Sequence, residues 1–239
     1  MATLLYIDTA GPDALVGISK GQEIIGIREN KVSTTHAEFV QVAVKELFIS
    51  LSMTASELDA IVVTLGPGSY TGLRVGLASA KGLAYALQKP LIGLSTLQVL
   101  AHRALRILDH PPLNPSSNIN IQDQDSVQIF SMLDAKRMEV FGGVYNTSLN
   151  EIQAEQAFEI NEEVLKSLLS KGKVVCIGSG VTKTKTILED EKIQFLEANY
   201  SIDDLLSLAM VKWEKKQFED LAYVSPSYLK EYYFKPLVK

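Results

Sequence analysis

Leu65-Gly66-Pro67-Gly68-Ser69-Tyr70-Thr71-Gly72-Leu73-Arg74-Val75-Gly76 is the stretch on which the reading of this chain turns. Immediately before it, residues 60–65 (AIVVTL) form an unbroken apolar run, the pattern of a strand covered on both faces. After it, apolar and small residues continue at helical spacing to about Leu87. The glycines therefore sit in a strand-to-helix turn, where backbone N–H groups can face an anion. Gly68, Ser69 and Thr71 are the candidate contacts. The loop lacks the Gly-Lys-[Ser/Thr] of a P-loop, and its glycine spacing is not that of a dinucleotide site. The alternative is a plain tight turn whose helix is capped by Ser69 or Thr71, and this is the preferred reading.

Working outward, residues 3–9, 14–19 and 22–28 read as a three-stranded meander punctuated by Gly11-Pro12-Asp13 and Lys20-Gly21. A helix is expected over 35–51, with Ser33, Thr34 and Thr35 as possible caps. A short turn at 54–58 carries the capping-box spacing of Thr54 and Glu57. Beyond the glycine loop and its helix, a strand at 90–94 leads to a helix capped by Ser95 or Thr96 and running to about Leu108. Residues 110–126 (HPPLNPSSNINIQDQDS) are polar and proline-bearing and read as a linker or mobile insertion. The second half then repeats the order. Strands are expected at 127–133, 139–145, about 157–160, 174–177 and 193–196, with helices at 162–169, after Gly178-Ser179-Gly180, and from 202 to about 218. The fold class is thus α/β, with two βββαβαβα lobes at 1–109 and 127–239. The last helix and tail are free to pack back on the first lobe.

Bulk composition narrows the function classes. The chain has 239 residues, 46% of them hydrophobic and 21% charged, enough for a core without disulfide or metal staples. The single cysteine, Cys176, lies in an apolar run and reads as a buried strand residue, which fits a reducing, cytoplasmic setting. The amino terminus has no basic lead-in, and no apolar run is long enough to span a membrane. A formal net charge of −5 shows no basic surplus for gripping a phosphate backbone. Contact with nucleic acid is therefore expected through a partner or a local patch.

The duplicated order resembles the actin-like, sugar-kinase-like (ribonuclease H-like) ATPase fold, in which two related lobes face each other across a cleft. Within it, the Gly66–Gly76 run resembles the G-P-G-S-[FY]-T-G-[LV]-R signature of the TsaB family, a relative of the glycoproteases. Collinear matches are Ile7-Asp8-Thr9, His36-Ala37-Glu38, Gly93-Leu94-Ser95-Thr96-Leu97, Asp134-Ala135-Lys136-Arg137, Glu139-Val140-Phe141, and Pro226 with Tyr228-Leu229-Lys230. The resemblance implies a non-catalytic subunit that pairs with TsaD and works with the ATPase TsaE in tRNA threonylcarbamoyladenosine synthesis. It implies no intrinsic cofactor, with ATP and magnesium held by partners or at a subunit interface, and tRNA reached only through the complex.

Gly72, Gly76, Ala80 and Ala84 recur every four residues and share one helix face. Helix-on-sheet packing within the lobe explains such a row, but a partner helix is preferred because the 35–51 helix has apolar surface to spare. Phe39, Val40, Ala43, Leu47, Gly72, Leu73, Gly76, Ala80, Leu83 and Ala84 are the expected partner surface, also used for homodimerisation of the isolated chain. A Trp at Gly76 or Ala80 is expected to abolish pairing without unfolding the lobe. Asp8 and Asp134 end the strands that line the cleft in this superfamily and are the candidate cation or nucleotide contacts. The residues after Asp134 lack the glycines of a phosphate-binding turn. His36 is followed at the metal-ligand spacing by Val40, so no metal site is expected. The aromatic and lysine-rich end, 228–239, is expected to pack its aromatics and solvate its lysines, with single-stranded nucleic acid as the alternative. An ATP-dependent phosphotransferase or a peptidase remains the rival function.

Overall fold

The computed structural model describes residues 1–31, 36–109 and 127–230, with only the backbone described at His36. The expected caps at 33–35, the His36 ring, His110, the linker at 110–126 and the tail beyond Lys230 lie outside the described residues.

The chain forms two βββαβαβα lobes. The first contains β1 (Thr3–Asp8), β2 (Ala14–Lys20), β3 (Glu23–Asn30), α1 (His36–Ser50), β4 (Ala60–Gly66), α2 (Tyr70–Leu87), β5 (Leu91–Ser95) and α3 (Thr96–Asp109). The second contains β6 (Val127–Asp134), β7 (Glu139–Tyr145), β8 (Glu151–Glu159), α4 (Glu162–Leu169), β9 (Lys173–Ile177), α5 (Val181–Thr184), β10 (Ile193–Leu196) and α6 (Ile202–Glu214). Strand orders are β3-β2-β1-β4-β5 and β10-β9-β6-β7-β8. In each sheet the first strand of the lobe is central, antiparallel to the second and parallel to the fourth. This is the duplicated actin-like arrangement.

The central strands are apolar on both faces because both faces are covered. Leu5 and Ile7 of β1 point with Val16, Ile61 and Val63 into a core under α1 and α2. Leu4 and Tyr6, on the opposite face, meet Ile202, Leu205, Leu206 and Ala209 of α6. α6 therefore belongs to the second half in sequence and to the first sheet in space. α3 does the converse: Leu97, Leu100, Ala101 and Ala104 pack with Ile129, Val175 and Ile177 of the second sheet. At the crossing of the two helices, Asp204 of α6 is fully buried and accepts from Arg106 (3.0 Å) and pairs with His102 (3.3 Å) of α3.

Three elements differ from the sequence expectation. β8 begins at Glu151 rather than near 157, because it is an edge strand whose outward residues are polar. The helix after Gly180 is only four residues long. α6 stops at Glu214 rather than near 218, and Lys216 then takes a left-handed backbone (φ 53°). Beyond it the chain runs back along the first lobe. The Glu219 amide donates to Leu91 O (2.8 Å), the Ser227 amide donates to Leu65 O (2.7 Å), and Leu221 and Val224 pack on the core under α1 and α2.

Candidate functional site

The glycine loop is a joint within the lobe. A Cβ at Gly68 would collide with Ala10 O, one at Gly72 with Thr9 O, and one at Gly76 with Thr9 Oγ1. Only glycine lets the loop and α2 lie this close to the end of β1. The Ser69 amide donates to Ala10 O (2.7 Å), Thr9 Oγ1 donates to Gly72 O (2.7 Å), and the Ser69 hydroxyl accepts from the Gly72 amide (3.2 Å), so Ser69 is the cap. Thr71 is exposed and sits apart from this joint.

Both cleft aspartates are engaged by the chain itself. Asp8 is buried; its Oδ1 accepts from the Thr64 hydroxyl (2.7 Å) and the Ala10 amide (3.0 Å), and its Oδ2 accepts from the Tyr200 hydroxyl (2.8 Å). Burial first, and then the neighbouring Asp8 carboxylate, push the Tyr200 phenol well above its ordinary value, so it stays a donor. Asp134 forms an ion pair with Lys183, whose ammonium also donates to Arg137 O (2.7 Å) and Glu139 O (2.9 Å). The Lys183 hydrogen bond holds the Asp134 carboxyl below the usual carboxylate range. A protein cation thus already compensates the Asp134 charge, while the side chain stays half exposed. Gly178-Ser179-Gly180 does not present an open nucleotide turn: a Cβ at Gly178 would strike Met132 O, and Ser179 Oγ accepts from the Asp134 amide (3.0 Å).

Between these elements lies a hollow of about 370 Å³, lined by Gly68, Tyr70, Asp134, Lys136, Phe141 and Tyr228 among others. The returning segment forms one wall. Arg74 donates to the Tyr228 hydroxyl (2.9 Å) and lies 4.0 Å above the Tyr70 ring, whose centroid is 5.0 Å from that of Tyr228. Lys230 bridges to Glu139 of the second lobe at 2.5 Å. Tyr228 thus touches Tyr70 and Arg74 yet stays 44% exposed, and the rest of the aromatic tail lies outside the described residues.

The expected partner surface needs correction. Val40, Ala43, Leu47, Ala80 and Ala84 are buried in the core under α1 and α2; Leu73 is buried beside Gly66; Phe39 and Leu83 are half-buried against the core; Gly72 and Gly76 face Thr9. The small-residue row is helix-on-sheet packing. A Trp at Gly76 or Ala80 would break the lobe before it tested any partner. The outward face is different: Val42 (54% exposed) and Ile49 (69%) on α1, and Ala78, Gly82, Tyr85 (79%) and Ala86 on α2. Gln41 Nε2 donates to Ser79 Oγ (3.2 Å) between the two helices, and a Cβ at Gly82 would meet nothing within 4 Å. Ala78, Gly82 and Ala86 repeat the four-residue spacing one face round, a signal the sequence carried and the inner row masked.

Among the described residues no group of three or more His, Cys, Asp or Glu is placed to hold a metal ion. Burial pushes the Cys176 thiol up to about 12, the state of a core residue. Among the described residues no helix is long and apolar enough to cross a membrane.

Comparison with known proteins agrees with this architecture. Residues 17–232 match the family model described as "TsaD: tRNA N6-adenosine threonylcarbamoyltransferase". The tRNA N6-adenosine threonylcarbamoyltransferase of Clostridium perfringens (strain SM101 / Type A) is 29% identical over 180 residues, covering 75% of this chain and 49% of that protein. That of Clostridium botulinum (strain Hall / ATCC 3502 / NCTC 13319 / Type A) is 29% identical over 188 residues, covering 79% and 52%. This chain spans about half the length of the curated relatives it matches. Two solved structures from Pseudomonas aeruginosa share the fold at 24% identity, each covering 96% of this chain and 100% of the other. One, described as similar to peptidase YeaZ, has a TM-score of 0.75; the other, YeaZ, has 0.73. With the match running through both lobes, from β2 to beyond α6, the chain belongs to the TsaD, glycoprotease-related, family of tRNA N6-adenosine threonylcarbamoyltransferases.

Proposed function

We propose that this chain is a TsaB-like, non-catalytic subunit that supports a TsaD-type relative in threonylcarbamoyl transfer to a tRNA adenosine. The observation that carries the reading is the state of the cleft: Asp8 is bound by Thr64 and Tyr200, and Asp134 by Lys183. Carboxylates engaged in this way are weakened as magnesium ligands: Asp8 is buried with both oxygens bonded, and the charge of Asp134 is already met by Lys183. The family match and the YeaZ-like fold support the placement in tRNA modification. ATP and magnesium then belong to the partners, TsaD and TsaE, or to a subunit boundary, and tRNA is engaged through the assembly in the cytoplasm.

The surface for the TsaD-type partner is the outward face of α1 and α2. Val42, Ile49 and Tyr85 supply exposed apolar area, and Gly82 with Ala78 and Ala86 permits close helix approach. The isolated chain would use the same face to dimerise. Two measurements test the reading. Calorimetry with Mg-ATP on the isolated chain is expected to give neither binding nor turnover; micromolar affinity with hydrolysis would establish the phosphotransferase rival instead. Gly82→Trp is expected to keep its thermal midpoint and lose association with the TsaD-type protein. Unchanged association would remove the interface assignment.

A further inference from the structure

α6 ends in a turn that leaves a second hollow open at the surface. The helix stops at Glu214, Lys216 takes its left-handed backbone (φ 53°), and the chain reverses. The Lys216 amide donates to Trp213 O (3.0 Å), the Gln217 amide donates to Lys212 O (2.9 Å), and the Glu219 amide donates to Leu91 O (2.8 Å). The Lys212 ammonium donates to Gly93 O (2.6 Å). A Cβ at Gly93 would collide with the Leu65 and Glu219 side chains, so the turn is drawn hard against β5. These bonds fix Trp213 and Phe218 on either side of the turn, with ring centroids 5.7 Å apart and planes tilted by 49°. The rings and Pro90 wall a hollow of about 440 Å³, and Glu214 and Lys216 stand on its rim. That size falls in the roughly 300–1,000 Å³ range of pockets that take a small group. Because the walls are already fixed, an occupant is spared the cost of ordering them. Phe218 is 40% exposed and Val211, on the same end of α6, is 44% exposed. α6 covers the face of the first sheet opposite α1 and α2, so the hollow stays open when the proposed partner surface is engaged.

The charges say what fits. Lys215 and Lys216 are exposed, Lys89 is half-buried beside Pro90, and none of the three forms an ion pair among the described residues. Glu214 is the one carboxylate lining the rim, and Glu219 is offset by its attraction to Lys212. An apolar hollow with a cationic rim thus exists in a chain of formal net charge −5. We propose that it docks an acidic segment of a partner protein, one aromatic side chain of which enters between Trp213, Phe218 and Pro90 while flanking carboxylates meet Lys89, Lys215 and Lys216. Buried aromatic anchors carry most of the affinity of such contacts, and complementary charge sets the choice of partner. RNA fits less well: the tilted rings offer no parallel faces between which a base could lie, and Glu214 repels a phosphate. The inference concerns the isolated chain and does not depend on the proposed function.

Trp213 is the only tryptophan of the chain, so its fluorescence reports occupancy directly. The experiment titrates the full chain with a short peptide carrying one central phenylalanine between runs of aspartate. Saturable change in the Trp213 emission is expected, weakening as salt is added. Peptides with a central alanine, or with lysine in place of aspartate, should bind about tenfold or more weakly. Phe218→Ala should lower affinity by a similar factor. Lys216→Asn removes a rim charge while suiting the left-handed backbone, so it should bind the peptide more weakly with a thermal midpoint equal to or above that of the wild type. No saturable change, equal affinity for the alanine or lysine peptides, or affinity unmoved in both variants would overturn the proposal. Tighter binding of a short unstructured RNA would assign the surface to nucleic acid, and self-association lost on Phe218→Ala would assign it to a second copy; either would overturn it too.

Discussion

Gly76 and Gly82 lie six positions apart on α2, and replacing each by alanine is expected to act in opposite directions. At Gly76 the added Cβ meets Thr9 Oγ1, which is fixed by its bond to Gly72 O and cannot yield. Overpacking of this kind costs about 2 kcal/mol. At Gly82 the added Cβ enters open space, so the gain in helix propensity, up to about 1 kcal/mol, is kept. Urea midpoints of the two variants should move to opposite sides of the wild type; a shared direction would contradict the packing described for α2. The sequence showed that both glycines are in a helix. It did not show which one faces the sheet, because small residues repeat every four positions on two faces of α2. The cap was legible as Ser69 or Thr71, and the geometry chose Ser69 because its hydroxyl alone reaches the Gly72 amide.

At the scale of elements, the segment after α6 acts as a strap on the first lobe. It adds a bridge beside β5, covers the core with Leu221 and Val224, and receives Lys81 Nζ on Val224 O (3.2 Å). Ending the chain after Lys216 should cost about 3 kcal/mol from lost apolar burial. For a protein of this size that is a fall of roughly 6–12 °C in thermal midpoint. A truncated chain melting with the full one would show that the strap contributes nothing to the fold. The sequence left the last helix and tail free to pack back on the first lobe, but the course of the strap was not readable, because 215–230 has neither strand alternation nor helical period; its place is set by main-chain bonds to Leu65 and Leu91. By contrast β7, α4 and β10 were legible to the residue, since each has one strong periodicity bounded by turn or cap residues.

At the scale of the whole molecule, the two halves are held by helices that cross between them, and Asp204 is the fully buried carboxylate at that crossing. Burial alone would raise its carboxyl. The hydrogen bonds from His102, the Ser201 amide and Arg106 outweigh burial and hold it below its ordinary value of 3.8. A depressed folded value means stabilisation that is complete above the unfolded value and is lost as the pH falls through the folded one. Asp204→Asn should therefore cost about 3 kcal/mol at neutral pH. The gap to wild type should close as the pH drops below about 4. Thermal midpoints from pH 7 to strongly acid conditions check this, and a gap independent of pH would remove Asp204 as the acid-sensitive link. The sequence by itself determined the two-lobed order, the strand-to-helix glycine turn, the core character of Cys176 and the family, because these depend on local periodicity and on short contiguous motifs. Only the tertiary structure decided that α3 and α6 exchange sheets, that the small-residue row faces inward, and that Tyr200 and Lys183 occupy the cleft aspartates. Each of those facts joins residues far apart in the chain, and side chains of equal hydrophobicity or charge carry no mark of which distant neighbour they will meet.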